Sequence, residues 1–269
     1  MNTENPASEE LVVTTSGAVC VLAMNRPQTK NGLTLEILGA LIAALEKAKD
    51  DPAIRAVVLT GQNGAFSSGL DFRAALLLFQ SGVTDLATKT EERLRTCFHR
   101  AILAIASLPK PVIAFVDGAA AGFGCDLALA CDLRIATKQA RFGEIFIKRG
   151  LMPDGGGTYT LPKLLGLGRA FDLMLTGDTV EAEEALRIGL VSRLFDGEDE
   201  AMAFAQRIAA GPPLVMAEIK RAVYAGLSQS FPEALENEIR GQVKLIQTQD
   251  FLEGVSAFLN KRPPNFTGQ

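Results

Sequence analysis

The stretch PVIAFVDGAAAGFGCDLALACDLRIAT, residues 111–137, holds the repeating unit of the fold. Its first six residues form a short β-branched and aromatic run that predicts a strand. DGAAAGFGCD (117–126) is a glycine-rich turn that opens a helix over 122–130, and CDLRIAT (131–137) predicts the next strand. The same alternation extends towards the N-terminus, through GAVCVLAMN (17–25), a helix from Leu35, RAVVLTG (55–61) and a helix over 91–107. In the 35–48 helix Leu35, Leu38, Leu41, Ile42, Leu45 and Ala48 recur at three- and four-residue steps, with Thr34 placed to cap it and Pro52 to stop it. Strands about 30 to 40 residues apart leave room for crossover helices, and such connections are right-handed. The expected architecture is α/β, a spiral with sheets inside and helices outside. From 199 only helical patterns remain, near 199–210, 213–225, 232–248 and 251–260. The chain therefore divides into a spiral core, 1–198, and a C-terminal helical region, 199–269.

Composition narrows the function classes. Of 269 residues 48% are apolar and 22% charged, the usage of a folded globular protein. The 27 Lys and Arg against 31 Asp and Glu leave −4, without the basic excess that a phosphate backbone or an anionic membrane demands. The longest charge-free stretches, Leu11–Asn25 and Ala56–Leu70, carry Thr, Ser, Gln, Asn and Gly and fall short of a membrane span. The N-terminal MNTENPASEE is acidic and polar, which does not read as a signal or transit peptide, so a cytoplasmic location is expected. Cysteines 20, 97, 125 and 131 form no CxxC and His99 is the sole histidine, so no metal site is expected.

Three glycine turns fall at helix starts: FSSGLD (66–71), DGAAAGFGCD (117–126) and PDGGGT (153–158). A strand followed by such a turn exposes unpaired backbone N–H groups. Two turns set side by side by adjacent parallel strands aim two donors at one point, as an oxyanion requires. For any single turn, simple tolerance of a tight bend is the alternative. GAAAGFG lacks the G-x-G-x-x-G spacing and the acidic residue of a dinucleotide site.

Taken in order, NRP (25–27), NGLT (31–34), AFSSGLD (65–71), PKPVIAFVDGAAAGFGCDLALACD (109–132), GLMPDGGGTYTLPKLLG (150–166), LTGDTVEAEEALRIGLV (175–191) and EGVSAFLNKRPPNFTG (253–268) resemble the crotonase, or enoyl-CoA hydratase/isomerase, superfamily. The resemblance implies a ββα spiral, a homotrimer or dimer of trimers through the helical tail, and an acyl-CoA thioester as substrate with no further cofactor. It places the two oxyanion N–H groups on Leu70 and Phe123. It places CoA contacts at Ser68 and Gly69, at Arg26 and Lys30 near the phosphates, and at Phe258 and Lys261 of a neighbouring subunit. The hydratases' paired glutamates fall on Asp126 and Phe146, so one is shortened and the other replaced by a ring of the acyl pocket that cannot activate water. The remaining acid, Asp154, matches the dienoyl-CoA isomerases and the phenylacetate-pathway enoyl-CoA and epoxide isomerases.

The expected activity is thus a double-bond or ring isomerisation, with Asp154 and Asp126 as catalytic carboxyls. The alternatives are a weak hydratase using the same two aspartates and, from another class, an RNA-binding crotonase-like protein, which the charge balance disfavours. Asp154 has the alternative role of a helix N-cap, and Asp126 that of a polar residue at a helix start. Glu144 lies at a family position that does not react, and His99 is expected to be structural. The segment 73–90 is expected to be a loop covering the site.

Overall fold

In a computed structural model, which describes residues 10–73, 76 and 85–269, each turn of the spiral lays one strand in each of two sheets. Strands β1 (Leu11–Ser16), β2 (Val19–Met24), β3 (Ala56–Gly61), β5 (Val112–Val116), β7 (Leu133–Thr137) and β10 (Arg193–Phe195) form the larger sheet in the order β1-β2-β3-β5-β7-β10. Strands β4 (Ala65–Ser67), β6 (Ala119–Ala121), β8 (Arg141–Gly143) and β9 (Thr179–Glu181) form the smaller one in the order β4-β6-β8-β9. Only the outer pairs β1/β2 and β8/β9 are antiparallel. β3–β4, β5–β6 and β7–β8 are therefore successive turns, and the register Val57↔Val112 in one sheet is matched by Ala65↔Ala119 in the other.

Burial on both faces explains the continuous apolar runs. Every residue of β2 and β5 is buried, and the helix Leu35–Asp50 turns Ile37, Leu38, Leu41, Ile42 and Leu45 onto one face of the larger sheet. The helix Glu198–Ala209 covers the other face with Ala201, Phe204 and Ala205 against Val19, Val58 and Phe115. Thr34 caps as expected, accepting from the Ile37 N–H at 3.2 Å, and the helix stops at Asp50 before Pro52.

The helix expected over 91–107 differs. It is assembled from Leu86–Arg93, a wider π-turn Leu94–Phe98 and His99–Ser107. Nothing in Leu86–Arg93 is buried, whereas the last segment buries Ala101 and Ile105, so the extra residue of the π-turn separates a solvated stretch from a packed one. Of the loop expected at 73–90, residues 74, 75 and 77–84 lie outside the described residues, and the part from Leu86 is helical.

The four tail helices are Glu198–Ala209, Pro213–Gly226, Phe231–Leu245 and Gln249–Leu259, close to the expected bounds. The second docks through Lys220, whose Nζ reaches Asp132 Oδ2 at 2.8 Å and the Ile105 carbonyl at 3.1 Å. Asp132 also accepts from Val112 N and the Tyr224 hydroxyl. Removing one partner of such a shielded pair strands the other. Lys220→Met is expected to cost about 3 kcal/mol of stability, read as a lower urea midpoint. An unchanged midpoint would mean that apolar packing alone seats this helix. Among the described residues, no helix is long and apolar enough to cross a membrane.

Candidate active site

Because β4 and β6 are parallel neighbours, the turns that follow them lie side by side. In the first, the Gly69 N–H is taken by Ser67 Oγ at 3.1 Å. Leu33 brackets Leu70, donating to the Gly69 carbonyl at 2.8 Å and accepting from Asp71 N at 3.0 Å. A residue bracketed in a parallel bridge turns its own N–H to the opposite side. In the second turn the Gly122 N–H is taken by the Gly143 carbonyl at 2.8 Å, and Phe123 starts the helix Phe123–Ala130, where its N–H has no intrahelical acceptor. Gly69 has φ +88, and a Cβ built there would stand 3.4 Å from Phe123 N and 2.7 Å from the Ala121 carbonyl oxygen. Only glycine lets the two turns approach this closely.

Between the turns runs a narrow cleft walled by Leu70, Phe72, Phe123, Ile145, Phe146 and Arg149. Phe123 and Phe146 are buried, and the Phe98 ring packs edge-on against Phe123 at 5.2 Å between centroids. The Arg149 guanidinium lies 5.4 Å from the centre of the Phe72 ring at the rim. A wider cleft on the opposite side of the larger sheet is bordered by Asp117, Asp196 and Glu198, acids that would repel a phosphorylated ligand.

Behind the second turn stand three acids. Asp126, on the first turn of the Phe123 helix, is fully buried and accepts from Gly155 N at 2.9 Å through Oδ2. Burial pushes its carboxyl well above the usual carboxylate range, with the Gly155 N–H working against the rise. Glu144, between β8 and the short 3₁₀ turn Ile145–Arg149, is also buried and is pushed up as well, first by burial and then by the charge of Asp126. Asp154 is half-buried and is raised by burial, with the His99 charge drawing it back. The His99 ring bonds the Asp154 carbonyl oxygen through Nε2 at 3.0 Å, which requires that nitrogen to carry the proton.

The structure thus brings together Ser68, Gly69, Leu70, Phe123 and Phe146 in the cleft, while Asp126, on the helix that Phe123 starts, and Asp154, next to the Gly155 that Asp126 holds, are not among its lining residues. Asp154 is not an N-cap: the cap position of the helix Gly157–Leu165 is Gly156, which makes no side-chain cap bond, and Asp154 Oδ1 is buried without a partner. Arg26, expected at the phosphates, is turned inward. Its guanidinium pairs with Glu10 at 3.0 Å and Asp71 at 3.2 Å and donates to the Gly32 carbonyl at 2.7 Å. Lys30 is exposed beside Ser68, its carbonyl accepting from Ser68 N. Phe258 and Lys261 lie outside the cleft within this chain. Phe258 is 82% exposed and borders an apolar groove with Phe251 and Phe266. Sequence reasoning set Glu144 aside. The signal available was a lone acid in an otherwise apolar FGEIFI, which buries only if it has a use or a proton.

The model of the family described as enoyl-CoA hydratase/isomerase matches residues 14–269. The chain belongs to that family. It is 42% identical to a protein of Rhodobacter capsulatus named a probable enoyl-CoA hydratase, over 94% of this chain and 96% of the relative. It is 36% identical to the 1,2-epoxyphenylacetyl-CoA isomerase of Escherichia coli K12, over 93% and 95%. The crystal structure of an enoyl-CoA hydratase from Bacillus anthracis superposes with a TM-score of 0.90 at 31% identity, covering 97% of this chain and all of the other. The ββα spiral with C-terminal helices is therefore the crotonase fold, as its motifs imply.

Proposed function

We propose that the protein is an acyl-CoA isomerase that moves a proton through a thioester enolate. The observation that carries this reading is the pairing of a half-buried Asp154 carboxyl, its Oδ1 without a partner, with a phenylalanine at position 146, where a hydratase needs its second carboxylate. Ionised Asp154 takes a proton from the carbon beside or conjugated to the thioester. The C–H electron pair moves into the carbonyl, and the oxygen gains charge between the Leu70 and Phe123 N–H groups, each such donor being worth ~10²–10³ in rate. The same carboxyl then returns the proton to the other end of the delocalised system. No second co-reactant enters the balance, and the thioester itself is the electron sink, so coenzyme A in the substrate is all that the chemistry needs. The rings of Phe123 and Phe146 can neither bond nor activate a water.

Ser68, Gly69 and the exposed Lys30 would meet the CoA, with Arg26 shaping their loop. Phe258 and Lys261 would serve the CoA of a neighbouring subunit in a homotrimer or dimer of trimers built on region 199–269. The exposures of Phe231, Leu252, Phe258 and Leu259, at 76, 66, 82 and 72%, support that burial between copies. The charge balance favours a cytoplasmic setting over a nucleic-acid or anionic-membrane one.

The test is turnover of a small panel of enoyl-CoA and dienoyl-CoA thioesters followed by proton NMR. Double-bond migration, with water addition to crotonyl-CoA slower by a factor of at least about 100, is the expected result. Efficient hydration would replace this reading with the hydratase one, in which Asp126 and Asp154 direct the water, as the names of most relatives suggest.

A further inference from the structure

Glu144 has no part in the isomerisation, yet among the described residues it is one of only four buried charged side chains, with Asp126, Arg134 and Asp250. Neither of its carboxyl oxygens, nor Asp126 Oδ1, has a partner at full hydrogen-bond geometry, with the Cys125 thiol beside the first carboxyl and the Gly157 N–H beside the second. A buried polar atom left this way is costly, and three of them converging on one spot call for an explanation. The spot is Gly157. A Cβ built there would lie 2.5 Å from Asp126 Oδ1 and 3.3 Å from each Glu144 oxygen, so glycine is what lets both carboxyls press against the turn. Gly155 is confined in the same way, its Cβ position lying 2.6 Å from Asp126 Cβ. Two carboxylates so placed in an apolar setting cannot both stay ionised, whereas a carboxylic acid beside a carboxylate gives each a partner.

We infer that Glu144 is a positioning residue that keeps its proton and offers it to Asp126 Oδ1, directly or through one water, so that Asp126 is fixed to hold the turn carrying Asp154. Asp126 then has one oxygen on Glu144 and the other on the Gly155 N–H, the residue that follows Asp154. Cys125 and Asp126 from the helix, Glu144 from the β8 side, and Asp154 with His99 beside it are the titratable groups that face one another here. Asp126 already accepts a backbone N–H through Oδ2, whereas neither Glu144 oxygen has such a donor, so the charge rests on Asp126 and the proton on Glu144, and burial raises both carboxyls.

The inference rests on the reading of Asp154 as the base, but its test does not depend on that reading alone. In Glu144→Gln the amide still donates, so kcat at neutral pH should stay within about 3-fold of the parent, and the alkaline fall that follows loss of the Glu144 proton should vanish. Glu144→Leu removes the donor, and kcat should drop by ~10–10² with KM unchanged, the scale of a misplaced catalytic group. Equal losses in the two variants, or none in Glu144→Leu, would overturn the assignment. Should Glu144→Leu fail to fold, infrared spectra of the intact protein decide. A protonated-carboxyl stretch at pH 7 that is missing from Glu144→Gln supports the assignment, and no difference between the two spectra overturns it. A protein that shows the band but isomerises no thioester would sink the isomerase reading and leave the proton on Glu144.

Discussion

Asp154→Asn is expected to lower kcat by ~10²–10⁴, the range for loss of a general base, while KM and the melting temperature stay close to those of the parent. The two halves of the expectation come from one observation. Asp154 Oδ1 is buried without a partner and the side chain caps no helix, so an isosteric amide removes no structural bond. What it removes is a carboxylate whose basicity burial has increased. A base must be ionised, so kcat/KM should fall as pH drops through the pKa of Asp154, with a midpoint higher than that of an ordinary aspartate. A charged His99 opposes that rise, and replacing it with glutamine should move the acid limb to higher pH. If Asp154→Asn melts early and turns over substrate normally, Asp154 is structural and another group moves the proton.

The sequence showed the order of turns more readily than their division between sheets. Runs such as Val112–Val116 and Ala56–Gly61 are buried on both faces and read as continuous apolar strands. β4, β6, β8 and β9 have three residues each, too few for any periodicity, and only their pairing across the spiral identifies them. The glycine turns were legible because a positive φ and a close backbone approach leave one residue type. Glu144 was not, because its meaning lies in Asp126, eighteen positions earlier, and in the turn at Gly155–Gly157. Arg26 misled for the converse reason. A cation near a glycine loop suggests phosphates until Glu10 and Asp71 are seen to neutralise it. The π-turn at Leu94–Phe98 left no mark in a helical pattern, although it sits immediately before His99 and includes the ring that packs on Phe123.

Gly69→Ala tests the other half of the chemistry. At φ +88 an alanine is strained by roughly 1–2 kcal/mol, and its methyl would lie 2.7 Å from the Ala121 carbonyl oxygen, a backbone atom of the neighbouring strand end. Neither turn can absorb the contact by rotating a side chain, so the gap between Leu70 N and Phe123 N must open. Donors displaced from an oxyanion lose ~10²–10³ in rate each. The expected result is a fall in kcat of at least ~10², with KM changed far less, because the interaction is made chiefly with charge that develops in the transition state. Strain alone would also lower stability, so a control is needed that shares the strain but not the contact. Gly17 is suitable: it has φ +55 in the β1–β2 turn, and a Cβ there would meet nothing within 4 Å. Gly17→Ala should lose about as much stability from conformation and keep full activity. If the two alanine variants lose stability alike and both retain kcat, the Leu70 and Phe123 N–H groups do not hold the oxyanion, and the charge must be stabilised elsewhere in the cleft.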